Sequence, residues 1–172
     1  MILSRDLRTR PRNGLAVTDL LTTLLLAEMI DPSPELWLVS GWITDIPVID
    51  NRHHQYDAAL GGAARTTLML SEVLAEVTSR GTSLHLALRI EQHNEWFIRR
   101  VQERIPSNRL HLHESAELHE KLIVGRDWIM KGSMNFTVNG TQLNEEKIQV
   151  VHDERKAAQE RLELQTRWIG QA

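Results

Sequence analysis

Four polar side chains of different chemical types lie close together in the last third of the chain. His119 and Lys121 are two residues apart, and Ser133 and Asn135 repeat that spacing. A neutral imidazole can attack phosphorus, while an ammonium, a hydroxyl and a carboxamide can hold the anionic oxygens of a phosphate. Residues of these types at this spacing predict a site for phosphoryl transfer.

A β-hairpin is the element that must position these four groups. Residues 121–124 and 128–135 have strand composition, and residues 125–127 between them, Gly-Arg-Asp, have turn composition. Alternate side chains of a strand point to the same face, so each pair of polar residues shares one face of its strand.

The register of this hairpin decides whether the two pairs meet. We expect His119 to lie opposite Asn135 and Lys121 opposite Ser133, with a three-residue loop at residues 126–128. A slip by one residue would distribute the four groups over both faces of the hairpin. An exposed amphipathic ribbon with a solvated polar face is the alternative interpretation of any one of these residues.

The same residues resemble a known signature. His119-Glu-Lys121 followed by Gly132-Ser-Met-Asn135 is similar to the HxK and GSxN parts of the phospholipase D superfamily motif, and Asn144-Glu-Glu146-Lys resembles the continuation in its small bacterial endonucleases. The resemblance implies an α/β fold, with a mixed, mostly parallel sheet flanked by helices. It also implies hydrolysis of a phosphodiester through a phosphohistidine, with no cofactor and no metal ion.

The family reaction uses two histidines, which come from two copies of the motif. This chain contains one copy, so the resemblance implies that His119 of a second subunit completes the site across a two-fold axis. One histidine then acts as the nucleophile and the other protonates the leaving oxygen. We therefore expect a homodimer with one composite site.

Acidic residues near the motif both match and depart from the family pattern. Glu146 matches a family glutamate that orients the catalytic histidine, and Glu145 is the neighbouring alternative. The family aspartate lies five residues after the lysine, where this chain has Arg126, and Asp127 follows it. The predicted register places Asp127 at the loop tip, outside the catalytic set. The predicted catalytic residues are His119, Lys121, Ser133, Asn135 and Glu146, of which Lys121, Ser133 and Asn135 bind the substrate.

Length and composition limit the class of protein. With 172 residues, 41% of them hydrophobic, the chain predicts one domain over residues 1–172, with residues 1–13 as a mobile arm and residues 44–64 as a long loop. It has no cysteine and no apolar run long enough for a membrane span, so we expect a soluble, cytoplasmic protein without membrane contact. The net charge of −3 indicates that any contact with nucleic acid is local.

Strands alternate with helices along the chain, which predicts a mixed α/β sheet covered by helices. The predicted helices are residues 15–30, 65–80, 93–105 and 153–169, and Asp153 is the predicted N-cap of the last. Besides the hairpin, the predicted strands are residues 35–43, 83–89, 109–113 and 148–152.

Several other residues have two interpretations. Trp42 lies at the end of the first predicted strand, where related nucleases often have an aromatic residue near the site, although core packing is the preferred interpretation. His111 and His113, together with His53-His54, suggest a metal site, but packing on a strand face and loop polarity explain them better. Two groups of arginines either are solvated or contact phosphates: Arg5, Arg8, Arg10 and Arg12, and Arg99, Arg100 and Arg104.

The sequence thus predicts a metal-independent nuclease, acting on DNA in preference to RNA, in phage defence or restriction. The segments Leu7-Arg-Thr-Arg10-Pro and 36–52 resemble phospholipase-D-like components of defence clusters. Three alternatives remain open: a nuclease subunit that is active only with an ATPase or helicase partner, a phospholipid phosphodiesterase, and a catalytically silent scaffold.

Overall fold

The computed structural model describes residues 3–10, 14–62 and 65–170. Its helices are α1 (Val17–Ile30), α2 (Leu70–Ser79), α3 (Gln92–Arg104) and α4 (Glu154–Trp168), and Asn139–Leu143 forms one π-helical turn. Its strands are β1 (Leu3–Arg8), β2 (Glu35–Ser40), β3 (Pro47–Asp50), β4 (Thr67–Met69), β5 (Ser83–Arg89), β6 (Leu110–Ser115), β7 (Leu122–Val124), β8 (Trp128–Gly132) and β9 (Lys147–His152).

One sheet organises the described part of the chain. Its strand order is β1-β9-β8-β7-β2-β5-β6, and β3 and β4 pair as a separate ribbon. The predicted mixed α/β fold is confirmed. The expectation that most strands pair in parallel is wrong, because only β2, β5 and β6 are parallel to one another and the other neighbouring strands are antiparallel. The tight turn between β7 and β8 forces antiparallel pairing, whereas strands connected through α2 and α3 can run parallel.

Helices cover both faces of this sheet, as the sequence predicts. Side chains alternate along β2, so that Leu36 and Leu38 join the core on one face and Trp37 and Val39 the core on the other. Helices α1, α2 and α3 supply apolar residues to the first core, and α4 supplies them to the second. Strand β2 is therefore a central strand, which brings the residues after it to the edge of the sheet where the candidate site lies.

Residues 3–8 form an edge strand instead of the predicted mobile arm. β1 pairs with β9 along its whole length. Thr9, just beyond it, is fully buried, and its N–H donates to the Glu146 carbonyl at 3.0 Å. An exposed edge strand carries mostly polar side chains, which hides its strand character from a sequence pattern. The arm is otherwise described only at positions 9 and 10, and Arg12 lies outside the described residues.

Residues 44–64 also contain more structure than the predicted loop. They include β3, and its partner β4 follows, so α2 begins at Leu70 instead of at residue 65. The buried Asn51 closes the connection by donating to the Asp57 carboxylate at 2.7 Å and to the Arg65 carbonyl at 3.0 Å. Strands of three and four residues are too short for the alternation pattern to reveal. Residues 63 and 64 lie outside the described residues.

The other predicted helices and strands are confirmed to within a few residues at each end. Asp153 caps α4 as predicted, since its carboxylate accepts from the N–H groups of Arg155 at 3.0 Å and Lys156 at 3.3 Å. None of the helices described is long and apolar enough to cross a membrane.

Candidate active site

The hairpin of β7 and β8 has a register one residue away from the predicted one. Leu122 lies opposite Lys131, and the Gly132 N–H donates to the Lys121 carbonyl at 3.2 Å. Lys121 is thus opposite Gly132 and not opposite Ser133. The expected pairing of His119 with Asn135 is wrong for the same reason.

A shorter turn accounts for this difference. The Gly125 N–H donates to the Trp128 carbonyl at 3.0 Å, which leaves only Arg126 and Asp127 in the loop instead of the three residues expected. At this end of the hairpin the Asp127 carboxylate lies 3.3 Å from Nε2 of His152. The predicted catalytic residues lie at the opposite end, so Asp127 is separated from them.

The four predicted polar groups meet nevertheless, because β8 ends at Gly132. The chain bends there, and the Ser133 N–H donates to the Lys147 carbonyl on β9 at 3.1 Å. Beyond the bend the alternation of a regular strand no longer applies, so the changed register does not separate the two pairs. A cleft of about 630 Å³ includes all four residues in its lining: His119, Lys121, Ser133 and Asn135.

Gly132 is the residue that permits this arrangement. A Cβ atom at this position would lie 2.2 Å from the carbonyl oxygen of Lys147 and 2.9 Å from Cδ1 of Ile148. Any side chain would therefore force β8 and β9 apart next to the cleft. The glycine is needed for close approach of two strands.

Lys121 is the buried cation of the cleft. Its Nζ donates to the His119 carbonyl at 2.5 Å, which holds the ammonium close to the predicted nucleophile. Burial lowers the pKa of Lys121, and the charge of the Glu146 carboxylate opposes that effect. An anionic ligand in the cleft would act in the same direction as Glu146 and favour the charged ammonium.

Glu146 is the carboxylate that reaches the site, whereas Glu145 is exposed. The Ser133 hydroxyl donates to the Glu146 carboxylate and accepts from the Lys147 N–H at 3.1 Å. The Glu146 backbone is held in turn, because its N–H donates to the Thr9 hydroxyl at 2.8 Å. Glu146 thus contacts Ser133 within this chain, and its predicted role in orienting a histidine stays a prediction.

Asn135 is oriented by the segment that follows β2. The Trp42 N–H donates to Oδ1 of Asn135 at 3.3 Å. This leaves the amide NH2 of Asn135 (Nδ2) to donate to a ligand. The neighbouring residues Ile43 and Phe136 form a parallel bridge, and the Thr44 N–H donates to the Phe136 carbonyl at 2.9 Å. Trp42 itself is half-buried and lines a second cleft beside Asn135, so the preferred interpretation of Trp42 as a core residue is wrong.

Asn94 is a positioning residue that the sequence reasoning missed. Its fully buried carboxamide donates to the carbonyls of Gly41 and Arg89, both at 2.9 Å, and accepts from the Ile43 N–H at 2.9 Å. It therefore fixes the segment that holds Asn135. The sequence feature that could have indicated this role is an asparagine on the apolar face of α3, three residues before the buried Phe97.

The residues considered for metal binding have other contacts. His85 stacks on Trp37 with ring centroids 4.2 Å apart and on His111 at 4.4 Å, and its Nδ1 lies 3.1 Å from Nε2 of His113. His54 lies 3.2 Å from the Asp57 carboxylate. Within the three described ranges, no group of three or more His, Cys, Asp or Glu is arranged to hold a metal ion.

The two predicted arginine groups differ in their contacts. Arg100 lies 3.4 Å from the buried Asp45 carboxylate and 4.7 Å from the Trp96 ring centroid, so it is engaged within the chain. Within these two groups, the described residues that are exposed are Arg5, Arg8, Arg10 and Arg99.

A comparison with protein families matches this region. The sequence model of the family described as "Cardiolipin synthase, PLD-like domain" matches residues 67–168, a segment that contains all five predicted catalytic residues. A search of the curated proteins finds no match.

Solved structures share the fold over nearly the whole chain. Nuc from Salmonella typhimurium, a phospholipase D family member, is 14% identical with a TM-score of 0.64, covering 99% of this chain and 96% of that one. NucT from Helicobacter pylori is 12% identical, with a TM-score of 0.60 and coverages of 96% and 95%. Phosphatidylserine synthase from Haemophilus influenzae Rd KW20 is 9% identical, with a TM-score of 0.57 and coverages of 96% and 38%. The family match spans more than half of the sequence, and the chain therefore belongs to the phospholipase-D-like domain family of phosphodiesterases.

Proposed function

We propose that this protein hydrolyses the phosphodiester bonds of nucleic acid, DNA in preference to RNA, without a divalent metal ion. The observation that carries the proposal is the convergence of His119, Lys121, Ser133 and Asn135 on one cleft, with Glu146 bonded to Ser133. These groups supply a nucleophile, a positive charge and hydrogen-bond donors, which are the functions that cleavage of an anionic diester needs.

The first step uses the His119 imidazole as the nucleophile. A ring nitrogen forms a bond to phosphorus, and the bond from phosphorus to the leaving oxygen breaks with its electron pair on that oxygen. The Lys121 ammonium and the Asn135 amide NH2 stabilise the nonbridging oxygens as their charge grows, and the Ser133 hydroxyl does so after its single proton turns from the Glu146 carboxylate to the substrate. Asn135 is prepared for this because its Oδ1 already accepts from the Trp42 N–H.

A second histidine is needed to protonate the leaving oxygen. We assign this role to His119 of the partner subunit in a homodimer, and the exposure of His119 supports its access to a second chain. After giving up its proton, the same group takes one from water, whose oxygen bonds to phosphorus as the phosphorus–nitrogen bond breaks. Both histidines then return to their starting states.

The lining of the site favours nucleic acid over phospholipid. A second cleft of about 460 Å³ adjoins the first at Asn135, and polar and aromatic residues dominate its lining. An acyl chain would leave the hydroxyls and carboxamides of this lining without partners, whereas the sugars and bases of nucleic acid offer both hydrogen bonds and flat rings. The exposed arginines Arg5, Arg8, Arg10 and Arg99 supply local phosphate contacts on a chain whose net charge is −3.

A cleavage assay with a matched variant tests the reaction. Wild-type protein and His119→Ala are incubated in excess EDTA with plasmid, single-stranded DNA and RNA. We expect metal-free cleavage, faster on DNA, that His119→Ala lowers by at least roughly 1,000-fold, together with an acid-trapped, radiolabelled phosphohistidine in the wild type alone. Equal activity in His119→Ala, or cleavage only after a divalent metal is added, contradicts the proposal.

The composite site has its own test. Wild-type and His119→Ala chains are unfolded together and refolded at equal concentrations, so that dimers form at random. About a quarter of the dimers then carry two copies of His119, and activity per wild-type chain falls by about half. Activity that depends linearly on the wild-type fraction would show that each chain works alone.

We extend the proposal to phage defence or restriction, with an ATPase or helicase partner that delivers the substrate. A net charge of −3 provides little long-range attraction to DNA, so a translocating partner would increase the local substrate concentration. The cleavage rate at low protein concentration should rise when such a partner and ATP are added. Full activity of the isolated chain, unchanged by the partner, contradicts this extension.

A further inference from the structure

We propose that the cleft of Trp42 and His93 beside the candidate active site is a nucleobase subsite, and that the substrate must present an unpaired base next to the cleaved phosphate. The inference rests on the proposed nuclease function and names its substrate class. The cleft has a volume of about 460 Å³ and shares Asn135 with the cleft of His119. A nucleotide whose phosphate lies at Asn135 would therefore place its own sugar and base in this space.

The lining fits a flat, neutral heteroaromatic ring. It contains an indole, an imidazole and several uncharged hydrogen-bonding groups: Trp42, His93, Thr44, Thr137, Asn139 and Asn144. Its carboxylate is that of Glu146, and no lysine or arginine in the described part of the chain lines it. A phosphate would be repelled there, whereas a neutral base can stack on the rings and bond to the hydroxyls and carboxamides.

Trp42 is held in place before any ligand arrives. The Arg89 guanidinium lies 5.3 Å from the centroid of the Trp42 ring, and Arg89 is itself held by Glu91 at 3.3 Å. The Trp42 backbone is tied to Asn135 through its N–H, and the Ser40 hydroxyl donates to the Trp42 carbonyl at 2.7 Å. A ring that is already ordered loses little conformational entropy on stacking, which favours binding.

A base in this cleft cannot remain in a duplex. Stacking on Trp42 removes the base from its neighbours in the helix, and unstacking and unpairing cost a few kcal/mol in double-stranded DNA and much less in a single strand. The enzyme should therefore cleave single-stranded or mismatched positions in preference to a perfect duplex. Both DNA and RNA can supply an unpaired base, and a comparison of DNA and RNA oligonucleotides of the same sequence shows which of the two the enzyme prefers.

The test removes the base and the indole separately and together. Three oligonucleotides are compared, each made as DNA and as RNA: a single strand with one cleavable phosphodiester, the same strand with an abasic residue beside it, and the duplex. Cleavage is measured as kcat/KM for wild type and Trp42→Ala, and binding is measured by fluorescence anisotropy with His119→Ala alone and combined with Trp42→Ala. Trp96→Ala is the matched control, because Trp96 is an exposed tryptophan with an arginine over its ring but does not line the cleft.

We expect Trp42→Ala and the abasic residue each to weaken binding and kcat/KM by about 10- to 100-fold, and the two changes together to cost little more than either alone. Trp42→Phe should recover most of the loss, which separates stacking from misfolding, and Trp96→Ala should change neither quantity by more than about twofold. Losses that multiply, or no effect of the missing base, overturn the subsite even if cleavage occurs. Absence of cleavage on every substrate overturns the proposed function, and the anisotropy comparison still decides the subsite.

Discussion

The Ser133 hydroxyl donates a hydrogen bond to the carboxylate of Glu146, and this contact joins the residue after β8 to the residue before β9. The same hydroxyl accepts from the Lys147 N–H at 3.1 Å. Ser133 is therefore held from two sides at the rim of the cleft. Glu146 also influences Lys121, so one carboxylate connects the hydrogen-bond donor and the cation of the site.

Glu146→Gln should separate the charge of this residue from its shape. Glutamine can still accept from Ser133 but cannot stabilise a positively charged histidine, so we expect kcat to fall by about 10- to 100-fold with little change in the melting temperature. Single-turnover cleavage and thermal unfolding measure the two effects. Glu145→Gln is the matched control, and an equal loss in that variant would contradict a specific role for Glu146.

Gly132→Ala should separate two strands beside the site. The new Cβ would meet the Lys147 carbonyl at 2.2 Å, so we expect a loss of about 1–3 kcal/mol in the free energy of unfolding and loss of most cleavage activity. Gly14→Ala is the control, because the contacts of a Cβ there are no closer than 3.6 Å. Denaturant unfolding of both variants checks the difference, and equal stability would show that β8 and β9 adapt.

Lys121 should set an alkaline limit on activity. Burial lowers the pKa of Lys121, so its ammonium loses the proton at a pH below that of an ordinary lysine, and cleavage should decline as pH rises through that range. Lys121→Arg keeps its charge at high pH, so its decline should move to higher pH, although maximal activity falls about tenfold because the guanidinium fits differently. Cleavage rates between about pH 7 and 11 measure both profiles. If the alkaline decline of Lys121→Arg occurs at the same pH as that of the wild type, the decline is due to a group other than Lys121.

Asn94→Ala should damage both stability and catalysis, although Asn94 lies outside the reacting groups. Removing its carboxamide leaves the Gly41 and Arg89 carbonyls and the Ile43 N–H without their buried partner, at a cost of about 2–4 kcal/mol. Cleavage should fall because Asn135 loses its orientation. Asn94→Asp keeps the accepting function but places a buried carboxylate against the two carbonyls, so it should lose at least as much stability as Asn94→Ala. Calorimetry and kcat measurements on both variants test this order.

His85 should make the fold sensitive to mild acid. Burial lowers the pKa of His85 to about 4, with Glu35 opposing this effect and His111 and His113 reinforcing it. In the unfolded chain the pKa of a histidine is near 6.5. Below that pH the unfolded state therefore binds a proton that the folded state does not bind. Stability should therefore fall as pH drops from about 6.5 to 4, by on the order of 2 kcal/mol after allowance for solvent screening.

Unfolding by urea at several pH values, with wild type and His85→Gln, measures this contribution. The variant should lose less stability than the wild type over the same acid range. Parallel curves for the two proteins would assign the acid sensitivity to other groups.

The local sequence was sufficient to predict much of this molecule. Helices α1, α3 and α4 and the central strands have clear periodicity, Asp153 is an N-cap that acts within one turn, and the motif residues identify themselves by type and spacing. Each of these features depends on interactions between residues near one another in the chain. The pairing of β1 and the ribbon of β3 and β4 were missed, because short or exposed strands gain their stability from distant partners.

The final arrangement of the site was decided by tertiary contacts. The sequence alone determined which groups can do the chemistry, but the bend after β8 that joins the two pairs of polar residues depends on the close approach of Gly132 to the Lys147 carbonyl. Asn135 is oriented by Trp42, which lies 93 positions earlier in the chain. Such contacts leave no local periodicity in the sequence, because they are set by the packing of the whole sheet and its helices.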